Sequence, residues 1–368
     1  MMGVIGGIMV ELSARVARLV RVAAMCASAA ASCTPLVGLA ADGAQGKVVG
    51  IAFVGRTVSD LDRSVAFYKA LGFSQDPAAN PSWRRDDVVE RLYGIGEVRT
   101  RMAKMYVNNA SGQRFVVYLR ELQGIPRKNL ADHTAWDPGS SHFGLVVPDA
   151  ESLWSQLQAS GSLRARSWGG RLIAPPGQTK GMLAYITDPD GLDIEIIDQR
   201  PAVPAQDGRP ARPAFLPGVN HVGLVVLDSD RARAFYEGLL GGQRQSAEAP
   251  WLKGDFYDSA VGGHGNILRF HNESFAVAGA PGTRMNFELV EFQNRKKQVA
   301  DCHITDIGVG YVGFEVEGLD AFLARAQAAG AKPVSKSGIV TMRSGTREVM
   351  VRDPDVGGFV ELFEHPQK

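Results

Sequence analysis

The stretch Asp60-Leu61-Asp62-Arg63-Ser64-Val65-Ala66-Phe67-Tyr68 decides the fold, because its plan returns three more times along the chain. Ser59 or Asp60 offers the side-chain oxygen of a helix N-cap, and Leu61, Val65 and Tyr68 fall at helical spacing. An apolar strand, residues 48–53, precedes this helix, and Gly72 supplies the positive φ that closes it. Ala234-Phe235-Tyr236 repeats Ala66-Phe67-Tyr68 in a helix starting at Asp228, between the strand at 220–227 and Gly241. Two further segments follow the same order: a strand at 142–147, a helix at 149–159 and Gly161; then a strand at 311–316, a helix at 319–329 and Gly330.

The four modules alternate in kind. The first and third share the Ala-Phe-Tyr helix. The second and fourth share a turn and strand, Asp188-Pro189-Asp190-Gly191-Leu192-Asp193-Ile194-Glu195 and Asp353-Pro354-Asp355 through Phe359-Val360-Glu361. Proline and glycine make the turn, and the alternating run after it reads as a half-buried strand. The A-B-A-B order points to duplication of a two-module unit, residues 48–200 (modules 48–122 and 139–198) and 218–366 (modules 218–292 and 308–364), joined by a proline-rich linker at 201–217.

Composition narrows the function classes. The chain has 368 residues, 45% apolar and 21% charged, with net charge +1. That is globular and near neutral, and without a basic stripe interleaved with aromatics there is no nucleic-acid partner to expect. Arg15, Arg18 and Arg21 lead into an apolar, small-residue stretch ending at Gly38-Leu39-Ala40, the layout of a cleavable export signal over residues 1–40 and hence of a periplasmic or secreted protein; with a true start further on, at Met9, the alternative is a cytoplasmic one. No later apolar run approaches the ~20 residues of a membrane span. Cys26 and Cys33 lie in the leader, so the exported chain keeps Cys302, read as a small buried hydrophobe.

The Asp-Leu-Asp-Arg-Ser-x-Ala-Phe-Tyr helix and the Asp-Pro-Asp-Gly-x-x-Ile-Glu turn resemble the vicinal-oxygen-chelate superfamily, which includes glyoxalase I, extradiol dioxygenases and bleomycin- and fosfomycin-resistance proteins. The resemblance covers nearly all of residues 48–364. It implies an α+β fold of four βαβββ modules in two curved-sheet pairs, with metal ligands on the first and last strands of each module. The positions so implied are Phe53 and Tyr118, His142 and Glu195, His221 and Glu288, and Tyr311 and Glu361. Glu291 is also near, but three residues along a strand reverses the face, so it cannot point inward together with Glu288.

Module pairing then decides the site. Pairing 1–2 and 3–4 separates the ligands, placing Glu361 beside His221 and Glu288 as an alternative carboxylate ligand. Pairing 2–3 and 1–4 collects His142, Glu195, His221 and Glu288 in one site and leaves Phe53, Tyr118, Tyr311 and Glu361 as a metal-free remnant. That segregation of good ligands from poor favours the second pairing, which glyoxalase I resembles. Two imidazoles and two carboxylates suit one divalent ion among Zn, Ni, Co, Mn and Fe, and leave open positions for two substrate oxygens. The resemblance implies isomerase or lyase chemistry through an enediolate of a small oxygenated substrate, with Glu195 or Glu288 moving the proton.

Lys180-Gly181-Met182-Leu183-Ala184-Tyr185-Ile186 is similar to glyoxalase I, and Lys180 and Tyr311 are candidate substrate contacts. The places of the family's glutathione-holding arginines are taken by Val225 and Pro138, which argues for a substrate that is not glutathione-linked. The rival enzyme is an extradiol-type dioxygenase built from the third and fourth modules, with His221 and Glu361 but Tyr311 where a second His is needed. The rival from another class is a binding or resistance protein using the same cleft without turnover. His264, within Gly262-Gly263-His264-Gly265, is a further candidate at a substrate mouth, while His271 and His303 read as loop or surface residues; the arginines between Arg84 and Arg101 read as a solvated face. Four modules can complete their pairing inside one chain, so a monomer is expected.

Overall fold

The computed structural model describes residues 46–79, 81–110, 112–201, 214–240, 243–244, 251–265, 269–277, 285–293 and 301–366. The expected export signal with Cys26 and Cys33, most of the 201–217 linker, and Gly241 lie outside the described residues. Module one runs β1 (Lys47–Val58), α1 (Leu61–Ala70), β2 (Ser74–Gln75), β3 (Arg84–Arg85), α2 (Asp87–Leu92), β4 (Arg99–Asn108) and β5 (Arg114–Gln123). Module two runs β6 (Ser141–Val147), α3 (Ala150–Ala159), a short 3-10 turn, β7 (Leu183–Thr187) and β8 (Asp193–Asp198). Module three runs β9 (Gly218–Val226), α4 (Ser229–Leu240), β10 (Gln243–Arg244), β11 (Leu252–Lys253), α5 (Asp255–Ala260), β12 (Arg269–Val277) and β13 (Met285–Gln293). Module four runs β14 (Gly310–Glu317), α6 (Leu319–Ala328), β15 (Lys332–Pro333), β16 (Val340–Thr341), β17 (Arg347–Arg352) and β18 (Phe359–Glu364). Two curved mixed sheets with few helices make this an α+β fold.

The sheet order joins the modules as 2–3 and 1–4. An eight-stranded sheet runs β10-β12-β13-β9-β6-β8-β7 with β11 on β12, and a ten-stranded sheet runs β15-β17-β18-β14-β1-β5-β4-β2 with β3 on β4 and β16 on β17. Below, these are the inner and the outer sheet, after the modules they use. Each is joined at its middle by two antiparallel first strands, β6 with β9 and β1 with β14. Halves that are consecutive in sequence are therefore interleaved in space.

The helix caps have local causes. Asp60 Oδ1 accepts from Arg63 N, Asp149 Oδ1 from Ser152 N and Asp228 Oδ1 from Arg231 N, each satisfying an N–H the helix cannot. An acid from the last strand of the same module also reaches the start of each of the four long helices: Glu121 accepts from Leu61 N, Asp198 from Ala150 N, Glu291 from Ser229 N and Glu364 from Gly318 N. Carboxylates at a helix N-terminus also complement its dipole.

The Asp-Pro-Asp turn has a structural use beyond reversing the chain. Asp190 accepts from Ser59 N and pairs with Arg63 at 3.1 Å; Asp355 accepts from Leu227 N and pairs with Arg231. Each turn thus clasps the helix start of the preceding module, which lies in the other sheet. Arg56, buried on β1, adds a third tie by donating to the carbonyls of Ser141 and Asp193. Between the sheets runs one apolar core that includes Tyr68, Phe143, Phe287, Phe314 and Phe322.

Candidate metal centre

The first strands of the modules share a pattern that spacing alone did not single out: a ring, one residue, then glycine. It reads His142-Phe143-Gly144, His221-Val222-Gly223, Phe53-Val54-Gly55 and Tyr311-Val312-Gly313. Antiparallel pairing sets each ring opposite the glycine of its partner strand: His142 faces Gly223, and His221 faces Gly144. A Cβ on either glycine would collide with the facing imidazole, so the glycines are what let the rings lie across the sheet.

The parallel neighbours complete two cross-strand rows. Glu195 lies beside Gly144, which faces His221; Glu288 lies beside Gly223, which faces His142. Glu195 therefore reaches over Gly144 to His221 of the other module, while Glu288 approaches His221 of its own. Glu195 Oε2 stands 2.9 Å from His221 Nε2 and 3.9 Å from His142 Nε2, and Glu288 Oε2 stands 4.0 Å from His221 Nε2. The imidazole centroids are 5.2 Å apart, with planes at 75°. Ligand atoms from His142, Glu195 and His221 lie within 4.8 Å of one another, the group among the described residues that could take a metal ion.

The residues fit a metal on two counts. Both Nε2 atoms are buried without a hydrogen bond, and that of His221 stands in an ion-pair contact with Glu195 at 2.9 Å. Buried nitrogens without a hydrogen bond, aimed at one point, cost free energy unless something occupies that point. On the other side, Asn220 Oδ1 lies 2.9 Å from His221 Nδ1, the kind of contact that fixes a ligand's tautomer. Electrostatics agree. Burial, reinforced by the charge on His221, lowers the His142 pKa to about 4, so it is neutral at physiological pH. Burial also opposes charge on His221, but Glu288 and Glu195 outweigh it and raise its pKa to about 9. Glu195 is held below the usual carboxylate range: burial works against this, and His221 and His142 overcome it.

Two residues near the centre were not anticipated. Tyr185 donates to Glu195 Oε2 at 3.4 Å and lies against His142 with ring centroids 5.3 Å apart. His133 lies 3.6 Å from Asp193, which also pairs with Arg166 and sits beside His142 in the sheet. Tyr185 is legible as the residue facing Glu195 on the adjacent strand; His133 sits in a loop that no periodicity places.

Three expected site residues are placed elsewhere. Lys180 pairs with Asp198 at 2.7 Å, and Asp198 lies three residues past Glu195, on the helix side of the sheet. Tyr311 lies in the outer sheet, buried against Phe53 and hydrogen-bonded to Tyr93 at 3.2 Å. Glu361 is on β18 of that sheet, beside Gly313, so it cannot join His221 as an alternative ligand. A dioxygenase site built from the third and fourth modules is excluded with it. Glu291 points to the start of α4, as strand alternation requires. His264 is exposed and stacks on Trp168 at 4.3 Å, and Cys302 is a half-buried free thiol whose pKa burial raises. The arginines at 84–101 sit mostly in ion pairs, Arg85 with Glu90 and Glu97 and Arg101 with Asp62 and Glu121. Among the described residues no helix is long and apolar enough to cross a membrane.

Residues 50–196 and 220–349 each match a model of the glyoxalase/bleomycin resistance protein/dioxygenase superfamily, and the chain belongs to that superfamily. A probable chloroplastic lactoylglutathione lyase and a second lactoylglutathione lyase, both of Arabidopsis thaliana, are each 27% identical over 50% of this chain. The chain spans about half the length of these relatives, 42% and 52%. A point mutant of glyoxalase I from Zea mays superposes with TM-score 0.52 over 87% of this chain and 92% of its own, at 18% identity, a likeness of fold.

Proposed function

We propose that the protein is a metal-dependent isomerase or lyase of the glyoxalase type, acting on a small oxygenated substrate that is not glutathione-linked. The observation that carries this reading is the convergence of His142, Glu195 and His221, with Glu288 beside them, around two buried imidazole nitrogens that make no hydrogen bond. His142, His221 and Glu195 would hold one divalent ion from Zn, Ni, Co, Mn or Fe. When bound, that ion would act as a Lewis acid toward two adjacent substrate oxygens and acidify the carbon next to them.

The chain's own residues would do the rest. Glu195 is fixed between both imidazoles and Tyr185, which suits a ligand. Glu288 stands further out, 4.0 Å from His221, which suits a carboxylate that takes a proton from one substrate carbon and returns it to the next. The wall next to Tyr185 is apolar: Val225 packs with Ala135, Val261, Val290 and Phe292. A glutathione carboxylate would find no cation at Val225 or Pro138, which supports a substrate with an apolar arm. Because A and B modules pair within one chain, the site needs no second copy, which supports a monomer.

A second reading has its own support. Two imidazoles and one carboxylate also make the facial triad of iron(II) oxygenases, here drawn from modules two and three. The test is proton exchange in deuterated water with a panel of small 2-hydroxycarbonyl compounds, followed by NMR on the metal-loaded protein. The proposal expects exchange that stops in Glu288→Gln while metal remains bound. Oxygen consumption with catechols by the iron-loaded protein, without such exchange, would replace it with the dioxygenase reading.

A further inference from the structure

The outer sheet encloses a cavity of about 690 Å³ on the face equivalent to the metal centre. Its floor is aromatic: Phe53 packs edge-on against Tyr118 at 4.8 Å and stacks on Phe363 at 5.6 Å. Two carboxylates also line it, Glu361 on β18 and Glu348 on β17. Met350 faces Glu361 across that pair, so Glu348 is the diagonal neighbour of Glu361 on the same face. Glu361 is only 6% exposed.

Among the described residues, nothing donates a hydrogen bond or forms an ion pair with either carboxylate. The cation nearest in effect is Arg120, which also lines the cavity; it lies 3.7 Å from Asp86 with its guanidinium over Tyr93 and forms no ion pair with either acid. Burial first, and then the mutual repulsion of the two acids, raises the Glu361 pKa above the usual range. Most basic groups at the mouth are paired too, Arg84 with Asp86, Arg85 with Glu90 and Lys104 with Asp76, while Arg343 is exposed to solvent. A buried and a half-buried acceptor, side by side on a cavity, are a place for a donor that arrives from outside. A hydrated hard cation would need more oxygen ligands than this aromatic floor supplies. An ammonium head suits both parts, since it donates to carboxylates and is attracted by aromatic faces.

We propose that the outer cavity binds one small organic ammonium ion, its N–H groups held by Glu361 and Glu348 and its apolar substituent packed on Phe53, Tyr118 and Phe363. This site is separate from the metal centre and does not depend on the reaction proposed for it. The test is calorimetric titration of the full chain at mildly alkaline pH with benzylamine, benzyl alcohol and benzoate. Benzylamine should bind one per chain, with the alcohol and the acid weaker by ~10-fold or more, the worth of a charge-assisted hydrogen bond. Glu361→Gln and Glu348→Gln should each weaken benzylamine by ~10-fold or more, while leaving Zn²⁺ uptake unchanged. Glu361→Gln removes a repulsion, so it should fold at least as well as the parent. The proposal is overturned if benzylamine does not bind, or binds equally to both Gln variants. It is equally overturned if benzoate binds as tightly, which would assign the cavity to Arg120, or if Glu361→Gln loses an equivalent of Zn²⁺.

Discussion

The two sheets share one plan and differ in what stands on it. In both, a ring on each central strand lies over a glycine of its partner, and the residue beside that glycine comes from a last strand. In the inner sheet the rings are His142 and His221 and the flanking residues are Glu195 and Glu288. In the outer sheet the rings are Phe53 and Tyr311 and the flanking residues are Tyr118 and Glu361. The backbone is thus a platform indifferent to chemistry. Four side chains decide whether it presents nitrogen and oxygen ligands to an ion or an aromatic floor to a cavity.

The largest expected contrast comes from removing one ring on each sheet. His142→Ala should lower Zn²⁺ affinity by at least ~100-fold, beyond what loss of a supporting contact costs, with little change in unfolding free energy of the metal-free protein. Phe53→Ala should do the reverse, costing about 3–5 kcal/mol in urea unfolding while leaving Zn²⁺ affinity unchanged. If both variants lost metal equally, the two platforms would not be independent.

Adding a methyl group to the platform should give a smaller effect of the same kind. Gly223→Ala pushes on His142, and Gly55→Ala pushes on Tyr311. The first should weaken Zn²⁺ by about 10–100-fold, as misplacing a ligand does. The second should cost about 1–3 kcal/mol of stability by overpacking, read from the urea midpoint, with metal affinity kept.

Acidity separates the sheets further. His221 has a pKa raised from 6.5 to about 9, so in the metal-free protein its contribution to stability is full below pH 6.5 and is lost as pH rises through about 9. Metal must displace that proton, so Zn²⁺ affinity should climb with pH up to about 9 in a titration series. Glu361 also has a raised pKa, from burial and then from Glu348, so its stabilising protonated form is lost as pH rises through that raised value. Glu361→Gln should therefore raise the melting temperature at alkaline pH and leave it nearly unchanged at acid pH. The smallest effect is expected from Tyr185→Phe, which removes one long hydrogen bond to Glu195 and should weaken Zn²⁺ by about fivefold, the worth of ~1 kcal/mol.

Much of this was legible in the chain, for local reasons. Asp60, Asp149 and Asp228 cap helices where their spacing placed them. Segregation of imidazoles from aromatic rings among four equivalent positions pointed to the 2–3 and 1–4 pairing found in the sheets. Strand alternation separated Glu288 from Glu291. The acids three residues past each last-strand position obey the same alternation: Glu121, Asp198, Glu291 and Glu364 all turn to the helix start of their own module. Lys180 follows Asp198 to that helix side of the sheet. Tyr311 stands in the outer sheet, on the lining of its cavity rather than at the metal centre, and a phenol in a ligand position does not say which of the two sheets holds it. The clasp made by Asp190 and Asp355 was hidden because both partners lie far away in sequence, on a helix of the other sheet.

The measurement that bears most directly on the centre is the metal content of the purified full chain by plasma mass spectrometry, after loading with Zn²⁺ and exhaustive dialysis. One divalent ion per chain is expected in the parent and in Phe53→Leu, and none in His221→Ala. A parent chain that retains no ion, or a His221→Ala chain that retains as much as the parent, would contradict the account.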